Sequence, residues 1–193
     1  MNKILISLLL LVSFTAFSQD KPKFIYVDFT DKSVSLTPFY KVFGSSIDPA
    51  VTLGGGIEYF QKSNSTIFQV VQATGYSTQM IGNGLTLSTS IAYRYSLQSG
   101  LFAEIMLGLG GSGFFPSKET FSLDENDQYS AVKPFHSTLG VPIDLLAGYR
   151  KGAYSFYLKY WYMVEGTYTD ILPMLPTSLT GFGVRYTLEG KSN

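Results

Sequence analysis

The chain has 193 residues, 45% hydrophobic and 15% charged, with a formal net charge of zero, no cysteine and one histidine. A balanced charge excludes the basic surplus on which nucleic-acid binding rests. The missing cysteines exclude disulfides, thiolate metal sites, cysteine nucleophiles and lipid attachment through an N-terminal cysteine, and one histidine excludes a multi-histidine metal site, so no metal or cofactor is expected. Aromatic residues are abundant, with 15 Phe, 14 Tyr and 1 Trp.

The N-terminus reads as an address. Met1-Asn2-Lys3 is a short positive start, and residues 4–12 form an apolar run too short to cross a bilayer as a helix. Ala16-Phe17-Ser18 then places small residues three and one before a cut. The pattern predicts a secretory signal peptide over 1–18, with Gln19 as the mature N-terminus and export through the secretory pathway. After residue 18 every apolar run is broken by Gly or charge, so no transmembrane helix is expected.

The rest of the chain alternates with period two, the signal of strands. Residues 85–97 put Leu85, Leu87, Thr89, Ile91, Tyr93, Tyr95 and Leu97 on one face and Thr86, Ser88, Ser90, Ala92, Arg94 and Ser96 on the other. Residues 101–109, 139–149, 154–165 and 180–188 repeat the pattern. Eight strands are predicted near 33–43, 50–61, 66–77, 84–97, 101–114, 135–150, 154–165 and 177–188. The first of these contains Pro38, and Phe24 to Thr30 also reads as extended. A strand at both places would make the count odd. The domain reading is therefore signal peptide 1–18, periplasmic segment 19–32 and barrel 33–193.

Ten or more residues per strand exceed the usual five or six of soluble sheets and suit a tilted membrane-spanning strand. The apolar faces end in aromatics, as lipid-facing strands do at the interfaces. Connections at Ser63-Asn64, Gln98-Ser99-Gly100 and Gly152-Ala153 are short and alternate with longer ones, the longest running from Phe115 to Pro134.

On these features the chain resembles the small eight-stranded outer-membrane β-barrel proteins. The resemblance covers residues 33–188 and includes the aromatic-ended last strand Gly183-Val184-Arg185-Tyr186-Thr187-Leu188. It departs from many such barrels in that Glu189 to Asn193 come after the last strand. It implies an all-β, closed, antiparallel, up-and-down transmembrane barrel in the bacterial outer membrane, with outer-membrane lipid and lipopolysaccharide around it. It implies no activity, because that scaffold hosts adhesins, enzymes and inert anchors.

The inward faces carry Glu58, Glu104, Asp144 and Glu165 against Arg94, Arg150, Lys159 and Arg185. The short turns put Arg94 opposite Glu104, Asp144 opposite Trp161 and diagonal to Lys159, and Glu58 opposite Gln69. Phe102, Met106, Trp161 and Met163 share that inner face, with inward glycines leaving room for the long side chains. An eight-stranded barrel is only wide enough for side chains to fill it, and buried charge is costly unless paired, so this set reads as a structural polar core.

His136-Ser137 at the start of the sixth strand is a candidate nucleophile pair for a lipid A-modifying enzyme, with Asp124, Glu125 or Asp127 to orient the His. Adjacent strand residues point to opposite faces, which argues against it. Asp124-Glu125-Asn126-Asp127 lacks the Gly and Glu that a calcium loop needs at its sixth and twelfth positions. Pro142 removes one ladder donor, at a bulge or a lateral opening. A carrier of a small hydrophobic ligand would need an apolar lumen. The external connections are the better functional candidates: Met80, Ile81, Ile171, Leu172, Met174 and Leu175 are apolar where loops facing water should be polar, and Phe114-Phe115 ends the fifth strand nearby. Such a patch marks a contact with another outer-membrane protein, or else a loop that folds over the barrel mouth as a lid and buries its own apolar residues. The expected function is a non-catalytic structural or accessory subunit.

Overall fold

The computed structural model describes residues 23–34, 48–78, 82–115, 121–123, 129–131, 135–166 and 174–188. Ten strands occur in chain order: β1 (Lys23–Val34), β2 (Pro49–Lys62), β3 (Ser65–Thr78), β4 (Gly82–Ser96), β5 (Leu101–Phe115), β6 (Phe121–Leu123), β7 (Tyr129–Ala131), β8 (His136–Lys151), β9 (Tyr154–Gly166) and β10 (Met174–Leu188). Eight of them close into a barrel in the order β1-β10-β9-β8-β5-β4-β3-β2, and β6 pairs with β7 in a separate two-stranded sheet. Every barrel pairing is antiparallel.

The sequence alternation becomes an inside and an outside. On β4, Leu85, Leu87 and Ile91 are exposed while Thr86, Ser88 and Ser90 are buried. On β5 and β9 the outward face is likewise apolar, while the buried face mixes charged, polar and apolar side chains. An apolar exterior this extensive is a lipid-facing surface, not a water-facing one. Tyr59, Tyr93, Tyr95, Tyr149, Tyr154 and Tyr186 ring its short-turn end, with Tyr154 and Tyr186 in ring contact at 5.1 Å. Phe115 and Phe135 meet at 5.3 Å toward the other end. The short turns at Gly100 and Gly152 use left-handed glycines, whereas Ser63 makes the same turn without one.

Several expectations need correction. The first strand is Lys23–Val34, not 33–43. The segment 19–32 is therefore mostly barrel wall, and the barrel begins before residue 33. Phe24, Tyr26, Asp28, Thr30 and Lys32 are buried inside it. Connection 79–81 is as short as the turns at the opposite end, because β3 and β4 pair out to Thr78 and Gly82. β10 starts at Met174, so Met174 and Leu175 pair with Gly166 and Glu165 in the wall and are not loop residues. A bulge between Glu58 and Phe60 shifts the register, and Glu58 faces Phe68 where Gln69 was expected. Phe114 is buried in the lumen, and only Phe115 is exposed. Pro142 inserts no bulge: pairing of β5 with β8 stops at Leu107–Ile143 and resumes unshifted at Gly110–Gly140. The signal peptide, Met80, Ile81, Ile171, Leu172, Asp124, Glu125 and Asp127 lie outside the described residues.

Glycines and aromatics are matched across strands inside the barrel. Tyr26 is opposite Gly54 and Phe24 opposite Gly56, Tyr76 opposite Gly84, and Tyr157 between Gly183 and Gly148. At Gly54, Gly56, Gly84 and Gly183 the facing ring occupies the volume a glycine Cβ would need, and at Gly148 the Tyr157 Cβ and the Phe102 ring do. A methyl at Gly183 would run into Asp28 Oδ1 and the Tyr157 ring, whereas at Gly75 it meets nothing within 4 Å. Gly183→Ala is expected to lower stability by about 1–3 kcal/mol, the usual effect of overpacking a filled core. Gly75→Ala is expected to cost nothing. Urea unfolding in detergent, read by heat-modifiable gel migration, checks both.

Candidate functional site

The lumen holds the densest chemistry among the described residues. It is arranged in three levels from the short-turn end upward.

At the lowest level Glu104 on β5 accepts from Arg94 Nε on β4. It also accepts from both terminal nitrogens of Arg185 on β10, at 2.7 and 2.9 Å. The second contact is bidentate, the geometry that makes arginine–carboxylate pairs strong and directional. Glu58 lies 3.7 Å from Arg94 Nη1. Phe24 and Phe68 face the cations: Arg185 Cζ is 4.4 Å from the Phe24 ring centre and Arg94 Cζ 5.0 Å from that of Phe68.

The middle level is centred on Lys159. Its Nζ donates to Asp28 Oδ2 at 2.8 Å and Gln72 Oε1 at 3.0 Å, and Asp144 Oδ1 lies 3.0 Å away. Tyr157 donates to Asp28 Oδ1. Tyr26 donates to Gln72 Oε1 at 2.8 Å, and Gln72 Nε2 to Ser88 Oγ at 3.0 Å. Strands β1, β3, β4, β8 and β9 thus meet in one network.

At the upper level Glu165 is held by neutral donors. Ser112 and Thr177 donate to Oε1 at 3.1 and 3.3 Å, and Thr138 to Oε2 at 3.1 Å. Lys32 sits 3.2 Å above the Tyr76 ring centre. Ala50, Tyr76, Phe114, Trp161, Met163 and Leu179 form an apolar plug there.

Of the charged residues placed inside from sequence, Glu58, Arg94, Glu104, Asp144, Lys159, Glu165 and Arg185 are buried. Arg94 is registered opposite Glu104 and Asp144 opposite Trp161. Arg150 is different: it is exposed, and its Nε donates to Gly152 O in the turn at 3.3 Å. It stands at the rim, beyond the end of the lumen. Asp28 and Lys32 are lumen residues that sequence reasoning missed. The signal was there, since Phe24, Tyr26, Asp28 and Thr30 alternate with Ile25, Val27 and Phe29.

Ser137 is exposed and registered with Gly113 on β5, beside the His136–Phe114 pair. The acids expected to orient His136 lie outside the described residues. On the outer wall Tyr59 donates to Gln69 Oε1, Gln69 Nε2 to Thr89 Oγ1 at 3.1 Å, and Thr89 Oγ1 to Val70 O at 3.2 Å. This polar ladder satisfies itself within the apolar belt.

Comparison with solved structures agrees with this architecture. Neisserial surface protein A is similar over 88% of this chain and 98% of its own, at 14% identity and a TM-score of 0.55. The chain has the fold of the small eight-stranded outer-membrane β-barrels. The outer membrane enzyme PagL is similar over 84% of this chain and 98% of its own, at 10% identity and a TM-score of 0.51. Ail, the attachment invasion locus protein of Yersinia pestis, in complex with the heparin analogue sucrose octasulfate, is similar over 88% and 100%, at 11% identity and a TM-score of 0.50. No family model and no curated protein matches the chain. At these identities the likeness is one of fold.

Removing one partner of a buried ion pair leaves the other charge stranded, which typically costs about 3–5 kcal/mol. Glu104→Ala strands two arginines and is expected to lower stability by at least that amount, with Glu104→Gln intermediate. Arg150→Ala, at the exposed rim, is expected to leave the urea midpoint unchanged. Equilibrium unfolding of the three variants in one detergent reads the difference.

Proposed function

We propose that the protein is a non-catalytic, non-conducting barrel of the bacterial outer membrane, exported through the secretory pathway, that serves as a structural or accessory subunit. Outer-membrane lipid and lipopolysaccharide surround it, and a second outer-membrane protein docks on its loop-end connections. The observation that carries this reading is the filled lumen. The Arg94–Glu104–Arg185 cluster, the Lys159 network and the apolar plug each obstruct the axis. Tightly paired charges and packed rings brace the wall and leave no path for hydrated ions. The same filling argues against a carrier of hydrophobic ligands.

The outer membrane enzyme PagL has a similar fold, so the scaffold is compatible with the lipid-modifying alternative. It needs His136 to activate a hydroxyl, and Ser137, its sequence neighbour, is on the exposed face of β8. Lipid A mass spectra are expected to be identical with wild-type protein, with His136→Ala and without the protein. A His136-dependent change in acylation overturns the non-catalytic reading.

Reconstituted in a planar bilayer, the protein is expected to give no stable single-channel steps. Steps of porin size would defeat the closed-lumen reading. For docking, the segment 167–173 supplies Ile171 and Leu172 beside a single charge, Asp170. Changing Ile171 and Leu172 together to Asp is expected to abolish recovery of a co-purifying outer-membrane protein from the native membrane in mild detergent, with heat-modifiable migration unchanged. Recovery undiminished by the double change counts against this surface.

A further inference from the structure

Outside the lumen the charges are sorted by end. At the short-turn end Lys62, Arg150 and Lys151 are exposed and Lys23 is half-buried. None of the first three makes an ion pair with a described residue. The acids of that end, Glu58 and Glu104, are turned into the lumen and buried. Among the described residues the two acids that are not buried, Asp31 and Asp48, stand at the opposite end, where Asp48 N donates to Asp31 Oδ1 at 2.7 Å. The three long connections of that opposite end hold six acids against three bases. The terminal segments 19–22 and 189–193, which adjoin β1 and β10 at the short-turn end, carry Asp20 and Glu189 against Lys21 and Lys191 and leave its basic excess as it is. A chain of zero formal charge is thus positive at one end and negative at the other.

The bases are fixed to one rim. Asn64 O accepts from Ser96 N at 2.7 Å, Gly100 O from Arg150 N at 2.8 Å and Ala153 O from Thr187 N at 2.8 Å, so backbone bonds link the three hairpin turns into a continuous edge. Lys62 and Lys151 are on the outward faces of their strands, two residues beyond the exposed Phe60 and Tyr149. Arg150 Nε is occupied by Gly152 O at 3.3 Å, which leaves both terminal nitrogens of the guanidinium for another acceptor. Height follows from strand geometry. Lys151 is two residues past Tyr149 and Lys62 three past Tyr59, which on a strand tilted by about 45° is about 5 to 7 Å farther along the membrane normal. Tyrosines of such a girdle mark the edge of the hydrocarbon, and the headgroup layer beyond it is about 5–8 Å thick. The cationic groups therefore fall at the level of lipid phosphates.

We propose that this rim binds the anionic phospholipid headgroups of the leaflet at the short-turn end, with Arg150 and Lys151 making one phosphate contact beside Tyr149 and Tyr154, and Lys62 a second beside Tyr59. The inference rests on the outer-membrane reading above, in which short turns face the periplasm, and adds to it a headgroup class and a leaflet. A phosphodiester offers a guanidinium two acceptor oxygens and an ammonium a compact negative charge. The occupant is a lipid because Lys62 and Lys151 share their outward faces with Phe60 and Tyr149, and the apolar wall continues directly above them. Each base near an anionic membrane surface adds an attraction that falls off within a Debye length. The acidic opposite end repels the same headgroups, so the charge pattern favours one orientation across the bilayer.

Electron paramagnetic resonance of spin-labelled lipid, with the protein in phosphatidylcholine nanodiscs, tests this. A motionally restricted lipid component reports the lipid-facing wall whatever the headgroup, so its absence overturns the membrane reading and this one together. The headgroup site is read separately. Labelled phosphatidylglycerol is expected to associate about two- to five-fold more strongly than labelled phosphatidylcholine, and to lose that preference in about 1 M salt. Lys62→Gln, Arg150→Gln and Lys151→Gln together are expected to abolish the preference with heat-modifiable migration unchanged. Equal association of the two lipids with the wild-type protein overturns the proposal, and so does a preference that the triple variant keeps. If the wild-type protein shows no headgroup preference but co-sediments with purified peptidoglycan, and the triple variant does not, the rim belongs to an anionic polymer and the lipid assignment falls.

Discussion

Glu104 is the anion around which the lower lumen is built. It stands on β5 and takes hydrogen bonds from Arg94 on the adjacent β4 and from Arg185 on β10, which is not a neighbour in the ring. Wall strands are already tied to their neighbours by backbone ladders. What a ladder cannot do is hold one side of the barrel against another, and a bidentate arginine crossing the lumen does that. Lys159 repeats the device one level up, because β9 and β3, which carry Lys159 and Gln72, are opposite each other in the strand order. These cross-braces set the shape of the interior, and their charges need a solvent substitute.

Aromatic rings seated on glycines supply part of it. A cation withdrawn from water loses its hydration, and a ring face returns part of that stabilisation. Arg185 lies 4.4 Å from the Phe24 ring centre and 5.4 Å from those of Phe68 and Tyr157. Arg94 Nη2 and Arg185 Nε have no oxygen acceptor, and rings are what these guanidinium groups have in its place. Phe24 and Tyr157 can lie so close to the cations because Gly56, Gly148 and Gly183 have no side chain under them. The carboxylates are served differently. Glu165 is held by three hydroxyls and Asp28 by Tyr157 as well as Lys159. Among the described residues the lumen buries five acids, Asp28, Glu58, Glu104, Asp144 and Glu165, against four bases, Lys32, Arg94, Lys159 and Arg185. Neutral donors therefore share the work of holding the anions.

The period-two pattern made most of this architecture readable, because one face of each strand must suit lipid and the other a narrow polar interior. Residues 85–97 and 101–109 carry that contrast so strongly that the register of Arg94 on Glu104 can be read from a three-residue turn. The pattern does not say where along the axis the lumen ends. Arg150 obeys the inward parity yet stands at the rim, and Met174 and Leu175 look like loop residues yet pair in the wall. It also does not choose between two extended segments. A first strand at 33–43 leaves Asp28 and Lys32 outside the barrel, whereas Lys23–Val34 puts both in the lumen. Bulges are invisible as well: the extra residue between Glu58 and Phe60 leaves the alternation of Gly54 and Gly56 intact but shifts the pairing of Glu58 and the residues before it by one from the register set at the Ser63-Asn64 turn.

Beyond the filled interior, the two ends of the barrel are not alike. At one end Ser63-Asn64, Gln98-Ser99-Gly100 and Gly152-Ala153 close hairpins tightly, and β1 begins and β10 terminates there. At the other, the connections are 35–48, 79–81, 116–135 and 167–173. In ring order the three longer ones leave from consecutive strand pairs, β2 with β1, β10 with β9, and β8 with β5. The three-residue connection belongs to the remaining pair, β4 with β3. The long connections thus leave from six consecutive strands of the ring. On the other side the outer wall of β3 presents Val71, Ala73 and an open Gly75 between the leucines of β2 and β4. Three quarters of the rim therefore carry a long connection and the fourth a short one, an asymmetry fixed by connection lengths alone.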